Sequence, residues 1–415
     1  MTSKGTNLFA QMVTLLDRQE FTRLVRQYGG DRHAKGFTCW DQLVSMLFCH
    51  LGKAQSLREI CGGLATCVGK LSHLRVRKAP QRSTLSYANA HRDWRIYQGV
   101  FFELLKKCHS VCAGKRKFRF KNKLFSMDAT VIDLCLNLFD WAKFRQTKGA
   151  VKVHLLLDHD GYLPTFAHIT DGKTHDVTVA KNVIIHDFTF PKGSIVAFDR
   201  GYADYRLFAH WCRSGIWFVT RLKDNADYRV MEKYDVPEHR SIVSDKRIRF
   251  TGFYSRQHCP YDLRRIEVWD AENEKVIVLL TNHFAFGSTT IAAIYKDRWQ
   301  IEIFFKTLKQ HLKIKTFVGT TPNALKVQIW TALIAILLLK YLKALSTFNW
   351  SLSNLIAMLR FNLFTYRDLL EWLNDPFESP PLCPDDGQLS FPDFSLGQQQ
   401  GGLLWRSSLN LSKTR

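Results

Sequence analysis

Ser194-Ile-Val-Ala-Phe-Asp199 is four apolar residues in a row, closed by an acid. Such a run fits a strand buried on both faces, which requires packed layers above and below it. Its neighbours agree. Leu124-Phe-Ser-Met-Asp128 reads as a short strand that also ends in an acid. Residues 151–158 and 162–170 flank His159-Asp160-Gly161, a hairpin signature. A helical stretch at 202–213 precedes another strand at 216–220. The order β-β-β-α-β-α-β predicts an α/β fold, an antiparallel meander feeding a parallel half. Four short alternating segments follow, at 228–234, 242–251, 263–270 and 275–281, read as a β insertion over 226–285. Helical patterning resumes near Thr289.

Before the first strand the texture differs. Residues 6–110 carry helical periodicity broken at Gly29-Gly30 and Gly62-Gly63, which predicts an all-α domain over 1–113. Around Pro80, a helix start capped by Ser83 or Thr84 places Arg92 and Arg95 three apart on one face. A DNA-reading helix-turn-helix has this pattern, and so does an amphipathic helix with a solvated basic face. Residues 114–123 hold six basic residues interleaved with Phe118 and Phe120. They suit a linker running along phosphates and also the alternation of an entering strand. An α/β core is expected at 124–225 and 286–345, a helical segment at 346–375, and a Pro-, Gln- and Gly-rich flexible tail at 376–415.

Charge narrows the class of partner. Lys and Arg number 59 against 37 Asp and Glu, a formal net of +22. Residues 1–123 hold 23 of the bases and 7 of the acids, so +16 of that net lies in the first third. A polyanion follows, nucleic acid or an acidic membrane surface, and an ordinary metabolic enzyme is disfavoured. No secretory signal pattern opens the chain. The longest apolar run, residues 329–339, spans about 17 Å as a helix, short of the ~30 Å of a bilayer core, so it reads as a buried helix. Ten cysteines include no CxxC pair and read as reduced thiols of an intracellular chain.

Three acids stand out by placement. Asp128 and Asp199 close predicted strands, and ligand crevices of α/β sheets lie beyond the carboxyl ends of strands. Either alone also fits a turn or cap. The third is Glu302 in Tyr295-Lys-Asp-Arg298-Trp-Gln-Ile-Glu302-Ile-Phe-Phe-Lys-Thr-Leu-Lys309. On one helix at about 100° per residue, Tyr295, Arg298, Glu302 and Lys309 share a stripe roughly 60° wide beside the apolar face. A plain i,i+4 ion pair of Arg298 and Glu302 is the simpler reading, worth under ~0.5 kcal/mol. Taken together, three carboxylates on two strand ends and a helix are what two-metal phosphoryl transfer requires, and Mg²⁺ prefers such oxygens. Asp133, Asp158, Asp160 and Asp176 fit turns or exposed faces. Histidines 154, 159, 168, 175 and 186 lack a metal-ligand spacing and read as structural.

Asp128-Ala-Thr, Asp199-Arg-Gly-Tyr and Tyr-x2-Arg-x3-Glu-x6-Lys resemble the DDE transposases of bacterial insertion sequences, and the last motif resembles the YREK signature of the insertion-sequence-four group. Ser83-Thr-Leu-Ser-Tyr-Ala-Asn resembles the helical region that precedes the catalytic part in some members. The likeness spans about residues 5–345. It implies a ribonuclease-H-like catalytic core with a β-strand insertion, preceded by an all-α N-terminal DNA-binding domain. It implies cut-and-paste transposition through a hairpin intermediate, with Asp128, Asp199 and Glu302 holding two Mg²⁺ ions that Mn²⁺ can replace. Tyr295, Arg298 and Lys309 would grip phosphates. Trp269 would stack on a flipped base, or serve as a cross-strand packing residue. Arg200 and Arg221 would touch DNA or bridge within the core, and Arg82, Arg92 and Arg95 belong to the DNA-binding front end. The implied partners are duplex DNA, as terminal inverted repeats and target, and a second copy of the chain. The expected location is the bacterial cytoplasm, at the nucleoid and off the membrane. Two alternatives remain: a related nuclease that cuts without joining, and a catalytically dead DNA-binding descendant.

Overall fold

The computed structural model describes residues 5–378, apart from 113–115, 135–138, 140, 142, 146–147, 239–240, 311 and 313–316. The start of the basic linker and most of the predicted tail therefore lie outside the described residues. Helices precede the first strand: Leu8–Val13 (α1), Arg18–Gln27 (α2), Cys39–Gly52 (α3), Leu57–Ala65 (α4), Arg82–His91 (α5) and Arg95–Cys112 (α6). Strands follow at Leu124–Leu134 (β1), Lys143–Arg145 (β2), Lys148–Asp158 (β3), Leu163–Asp171 (β4), Ile195–Phe198 (β5), Trp217–Arg221 (β6), Tyr228–Tyr234 (β7), Ile242–Phe250 (β8), Leu263–Asp270 (β9) and Lys275–Thr281 (β10). Between β4 and β5 run Asp176–Val179 (α7) and Ile185–Asp187 (α8), joined by a π turn. Tyr205–Ser214 (α9) joins β5 to β6, and Phe253–His258 (α10) lies between β8 and β9. The chain continues through Ser288–Asp297 (α11), Gln300–Gln310 (α12), Pro322–Leu345 (α13), Leu352–Asn362 (α14) and Leu369–Asn374 (α15).

One sheet runs in the order β2-β3-β1-β5-β6-β10-β9-β8-β7, with β4 paired to β3. Among the described residues, only β1–β5 and β5–β6 are parallel. All four residues of β5 are fully buried, as the apolar run predicts. Val196 and Phe198 face Leu207, Phe208 and Trp211 of α9, while Ile195 and Ala197 face Ile291 and Ile294 of α11. Asp204 caps α9 by accepting from the Arg206 and Leu207 N–H groups, and Gly215 ends it in the left-handed region. The four strands read as an insertion extend this same sheet, because β10 pairs antiparallel with β6.

The helices before β1 do not bury their apolar faces among themselves alone. Leu8, Leu43, Leu47, Phe101 and Leu104 share one core with α12, α13, α14 and the outer side of β3. Its axis is α13, whose residues 329–339 are all at most 1% exposed. That helix is long and apolar enough to cross a membrane, but most of its apolar window is buried inside the protein. Pro322 occupies its first turn and Thr321 caps it.

Three local expectations change. Helix α5 begins after Gln81 with no side-chain cap, so Ser83 and Thr84 lie inside it. It ends at His91, and Asp93 accepts the Arg95 N–H at 2.8 Å to start α6. Arg92 and Arg95 are thus on different elements. Residues 116–122 form turns rather than an entering strand. Their charges dock on the core instead: Arg116 pairs with Asp160 at 2.9 Å, Lys117 with Asp297 at 2.6 Å, and Lys123 with Asp158 and Asp160 at 2.9 and 2.7 Å. Phe118 stacks on Phe120, which meets Phe286. Asp158 is buried beneath Lys123 rather than on an exposed face, because the lysine supplies its counter-charge. The β3–β4 turn forms where predicted. Gly161 takes φ +79°, and a Cβ there would come within 2.8 Å of Cys112.

Two predictions follow from buried polar groups. His50 is fully buried, between the Leu312 carbonyl and the Thr331 hydroxyl. Burial lowers its imidazole to about 4 from the ordinary 6.5. Between those values the unfolded chain binds a proton that the folded chain refuses, so stability falls as pH falls from 6.5 towards 4, by roughly 3 kcal/mol in the limit. Chemical denaturation of the wild type and His50→Gln across that range should differ by this slope. Arg264 on β9 makes a two-pronged pair with buried Asp245 at 2.6 and 2.9 Å and also donates to the Phe284 carbonyl, in the turn leading to α11. Removing one partner of such a pair costs about 3–5 kcal/mol, so Asp245→Ala should show a loss of that size in the same assay.

Candidate active site

The β1–β5 ladder ends at Met127–Phe198. Asp128 and Asp199 are the next residues on each strand, side by side where parallel pairing stops. Contrary to the short strand expected, β1 continues to Leu134, because β3 still pairs with it from Asp128–Leu155 to Leu134–Gly149. The crevice therefore opens on one side of β1 only. Asp199 turns directly into Arg200-Gly-Tyr202, whose groove is lined by Arg200, Lys223, Asp224 and Asn225.

The third acid reaches this crevice from a jointed helix. The single helix expected over Tyr295–Lys309 is two, α11 and α12, meeting at Arg298 and Trp299. The joint is bridged by i→i−3 hydrogen bonds, Ile301 N–H to the Arg298 carbonyl at 3.1 Å and Glu302 N–H to the Trp299 carbonyl at 3.0 Å. Such a turn advances by about 120° per residue, so a uniform 100° projection does not hold across it. Arg298 and Glu302 meet all the same. The guanidinium bonds Glu302 at 2.8 Å and lies 3.7 Å from Asp128, and the Tyr295 ring stands 5.5 Å from its carbon. Burial pushes the Asp128 carboxyl up to about 6. The Ala129 N–H and Arg298 oppose that rise, while Glu302 and Asp199 add to it.

Lys309 reaches the same strand from the far end of α12, donating to the Val131 carbonyl at 2.6 Å. Tyr295, Arg298, Glu302 and Lys309 are thus brought together around β1. Trp269 lies elsewhere, 44% exposed on β9 opposite Val276. Arg200 is exposed and pairs with Asp224 at 2.7 Å. Arg82 is exposed on the first turn of α5. Arg95 is exposed but tied to Asp93. Arg92 is mostly covered, donating to the Phe37 carbonyl and Gln42, so its fork is spent inside the fold and the expectation that it faces DNA is corrected.

Two buried groups near the crevice were given no role of their own from the sequence. Tyr202 is 1% exposed, feels the charges of Asp128, Asp176 and Asp199, and its hydroxyl has no partner among the described residues. Its signal was the position three residues after Asp199. His159, read as one of several structural histidines, is buried between Ser126 and Asp297, each at 2.7 Å. Nothing local in sequence marks that link.

The three acids at the crevice offer hard carboxylate oxygens, the chemistry that divalent magnesium or manganese takes, and a cation there would offset the burial that raises Asp128 and its repulsion from Glu302 and Asp199. In the present arrangement Arg298 lies between Asp128 and Glu302, and among the described residues no three Asp, Glu, His or Cys groups converge to ion-holding distance.

Residues 119–338 match the family described as the transposase DDE domain, and residues 4–77 match a domain family of unknown function. A Sinorhizobium fredii protein named as a transposase is 29% identical over 342 residues, covering 80% of this chain and 92% of the relative. A Geobacillus stearothermophilus protein named as the transposase of insertion sequence element IS5377 is 29% identical over 299 residues, covering 70% and 74%. A solved synaptic complex of piggyBac transposase with hairpin DNA aligns at 9% identity and a TM-score of 0.43, covering 89% of this chain and 81% of that one, a likeness too distant to add to the family match. The matched family covers more than half of the chain, with both strand acids and Glu302 inside it, so the chain belongs to the DDE-domain transposases.

Proposed function

We propose that the chain is the cut-and-paste transposase of an insertion sequence, of the insertion-sequence-four group. It would bind terminal inverted repeats, cleave the ends through a hairpin intermediate and join them to target DNA. The observation that carries this reading is the register that sets Asp128 beside Asp199 where the β1–β5 ladder stops, with Glu302 linked to Asp128 through the Arg298 guanidinium. A ribonuclease-H-like core suits a mixed sheet with two parallel ladders and helices on both faces.

Asp128, Asp199 and Glu302 would hold two Mg²⁺ ions, or Mn²⁺ in their place. Bound there, the cations would stabilise charge on the attacking and leaving oxygens. Arg298 would release the carboxylates and turn its fork, backed by the Tyr295 ring, to a DNA phosphate. Lys309 at the far end of α12 would add a second contact, and Arg200 with Lys223 would line the path beside Asp199. Trp269 stays a candidate stacking residue because it is exposed. Away from the crevice, Arg75, Arg77, Lys78 and Arg82 are exposed with no acid partner among the described residues, and Tyr87 stacks on His91 along the same helix. These would meet the inverted repeat, each cation displacing counterions. Two ends require two active sites, so a homodimer is the expected synaptic form, acting at the bacterial nucleoid in the cytoplasm.

Purified protein, end DNA and Mg²⁺ should give nicking, and precleaved ends should be inserted into a second duplex. Asp128→Ala and Glu302→Ala should abolish both while still shifting end DNA in a gel. Cleavage with no insertion of precleaved ends would mean a nuclease, and protection without nicking a binding protein. For the front end, Lys78→Ala should lower the slope of log affinity against log salt by roughly 1 and weaken all sequences alike.

A further inference from the structure

Along one side of β1 the residues Leu124, Ser126 and Asp128 succeed each other at the two-residue period of a strand. Each meets α11, α12 or a group fixed to them. Leu124 belongs to the cluster of Ile291 and Ile294, and Asp128 faces Arg298. Between them the Ser126 hydroxyl lies 2.7 Å from His159 Nε2, and His159 Nδ1 lies 2.7 Å from Asp297 Oδ2. All three residues are at most 5% exposed. Asp297 further accepts from Tyr162 at 3.2 Å and from Lys117 at 2.6 Å.

A carboxylate only accepts, so in the neutral imidazole Nδ1–H donates to Asp297 and Nε2 accepts a hydrogen bond from the Ser126 hydroxyl. Burial excludes water from the exchange and leaves each group with a single good arrangement. One end of this chain is two residues from Asp128. The other is the residue before Arg298, at the joint of α11 and α12. The buried serine cannot meet a substrate, so the triad-like order of groups is no nucleophile.

We infer that Ser126, His159 and Asp297 are positioning residues that set the separation of the Asp128 strand from the Arg298–Glu302 joint, with Lys117 coupling the basic linker to the same point. The inference rests on the transposase reading for its effect on rate, and on the geometry alone for the relay itself.

Ser126→Ala and Asp297→Asn test it with little change of volume. Outer groups of this kind are worth roughly 10- to 100-fold in activity or metal affinity. Insertion of precleaved ends should slow by that factor, and half-saturating Mg²⁺ should rise. End-DNA affinity should stay near wild type, and the rate loss should exceed what any fall in melting temperature explains. The double variant should lose little more than the worse single one, as expected for groups acting as a unit. Separately, ¹⁵N-histidine spectra of the metal-free protein should show His159 protonated on Nδ1, and Asp297→Asn should abolish that signature. Wild-type rates in both variants, or a rate loss that only tracks lost melting temperature, would overturn the positioning role. A His159 proton on Nε2 would overturn the relay. If the wild type inserts no ends, the transposase reading fails, and the spectra still decide whether the relay exists.

Discussion

The site depends on how one face of β1 meets the joint between α11 and α12. Leu124 anchors the contact by apolar burial, Ser126 by a buried polar chain, and Asp128 by its approach to Arg298. Apolar contact alone is not directional and would let the helices slide by a fraction of a turn. Directional bonds from Ser126 through His159 to Asp297 oppose such sliding. Arg298 and Glu302 sit on either side of that joint and face β1 together.

Charge serves two purposes in this chain. Several bases of the 116–123 segment are committed to Asp158, Asp160 and Asp297, fastening the segment to the catalytic sheet. Exposed Arg119 and Lys121, with Arg26, Arg32, Lys35, Arg58, Arg75, Arg77, Lys78 and Arg82, are among those left facing solvent without an acid partner among the described residues. The large positive excess of the first third is therefore a smaller available surface plus a set of structural ion pairs. The same bases that make the segment look like a phosphate track also hold it in place.

Much of the sheet was legible. Strands at 228–234, 263–270 and 275–281 fall where alternation put them, and the β3–β4 turn where His159-Asp160-Gly161 put it. The placement of Asp199 just after an apolar strand and the i,i+4 pair of Arg298 and Glu302 left local marks, whereas the position of Asp128 inside β1 did not, because β3 pairs on past it. The break at Arg298–Trp299 left none, since no Gly or Pro signals it. Arg92 was misread because an exposed basic helix face and an internal arginine fork have the same one-letter spelling. His159 is structural as read, but its partners were not legible because they lie 33 and 138 residues away.

Sequence by itself determined where most strands and helices lie and that Asp199 follows an apolar strand, because periodicity is a short-range property of the chain. Only the tertiary structure decided that the run Ser194–Asp199 lies beside β1 in parallel, that the presumed insertion continues the main sheet, and that the first helices share a core with α13. Those outcomes depend on pairing and burial between residues far apart in the chain, where each partner's choice is set by surfaces that exist only once the others have folded.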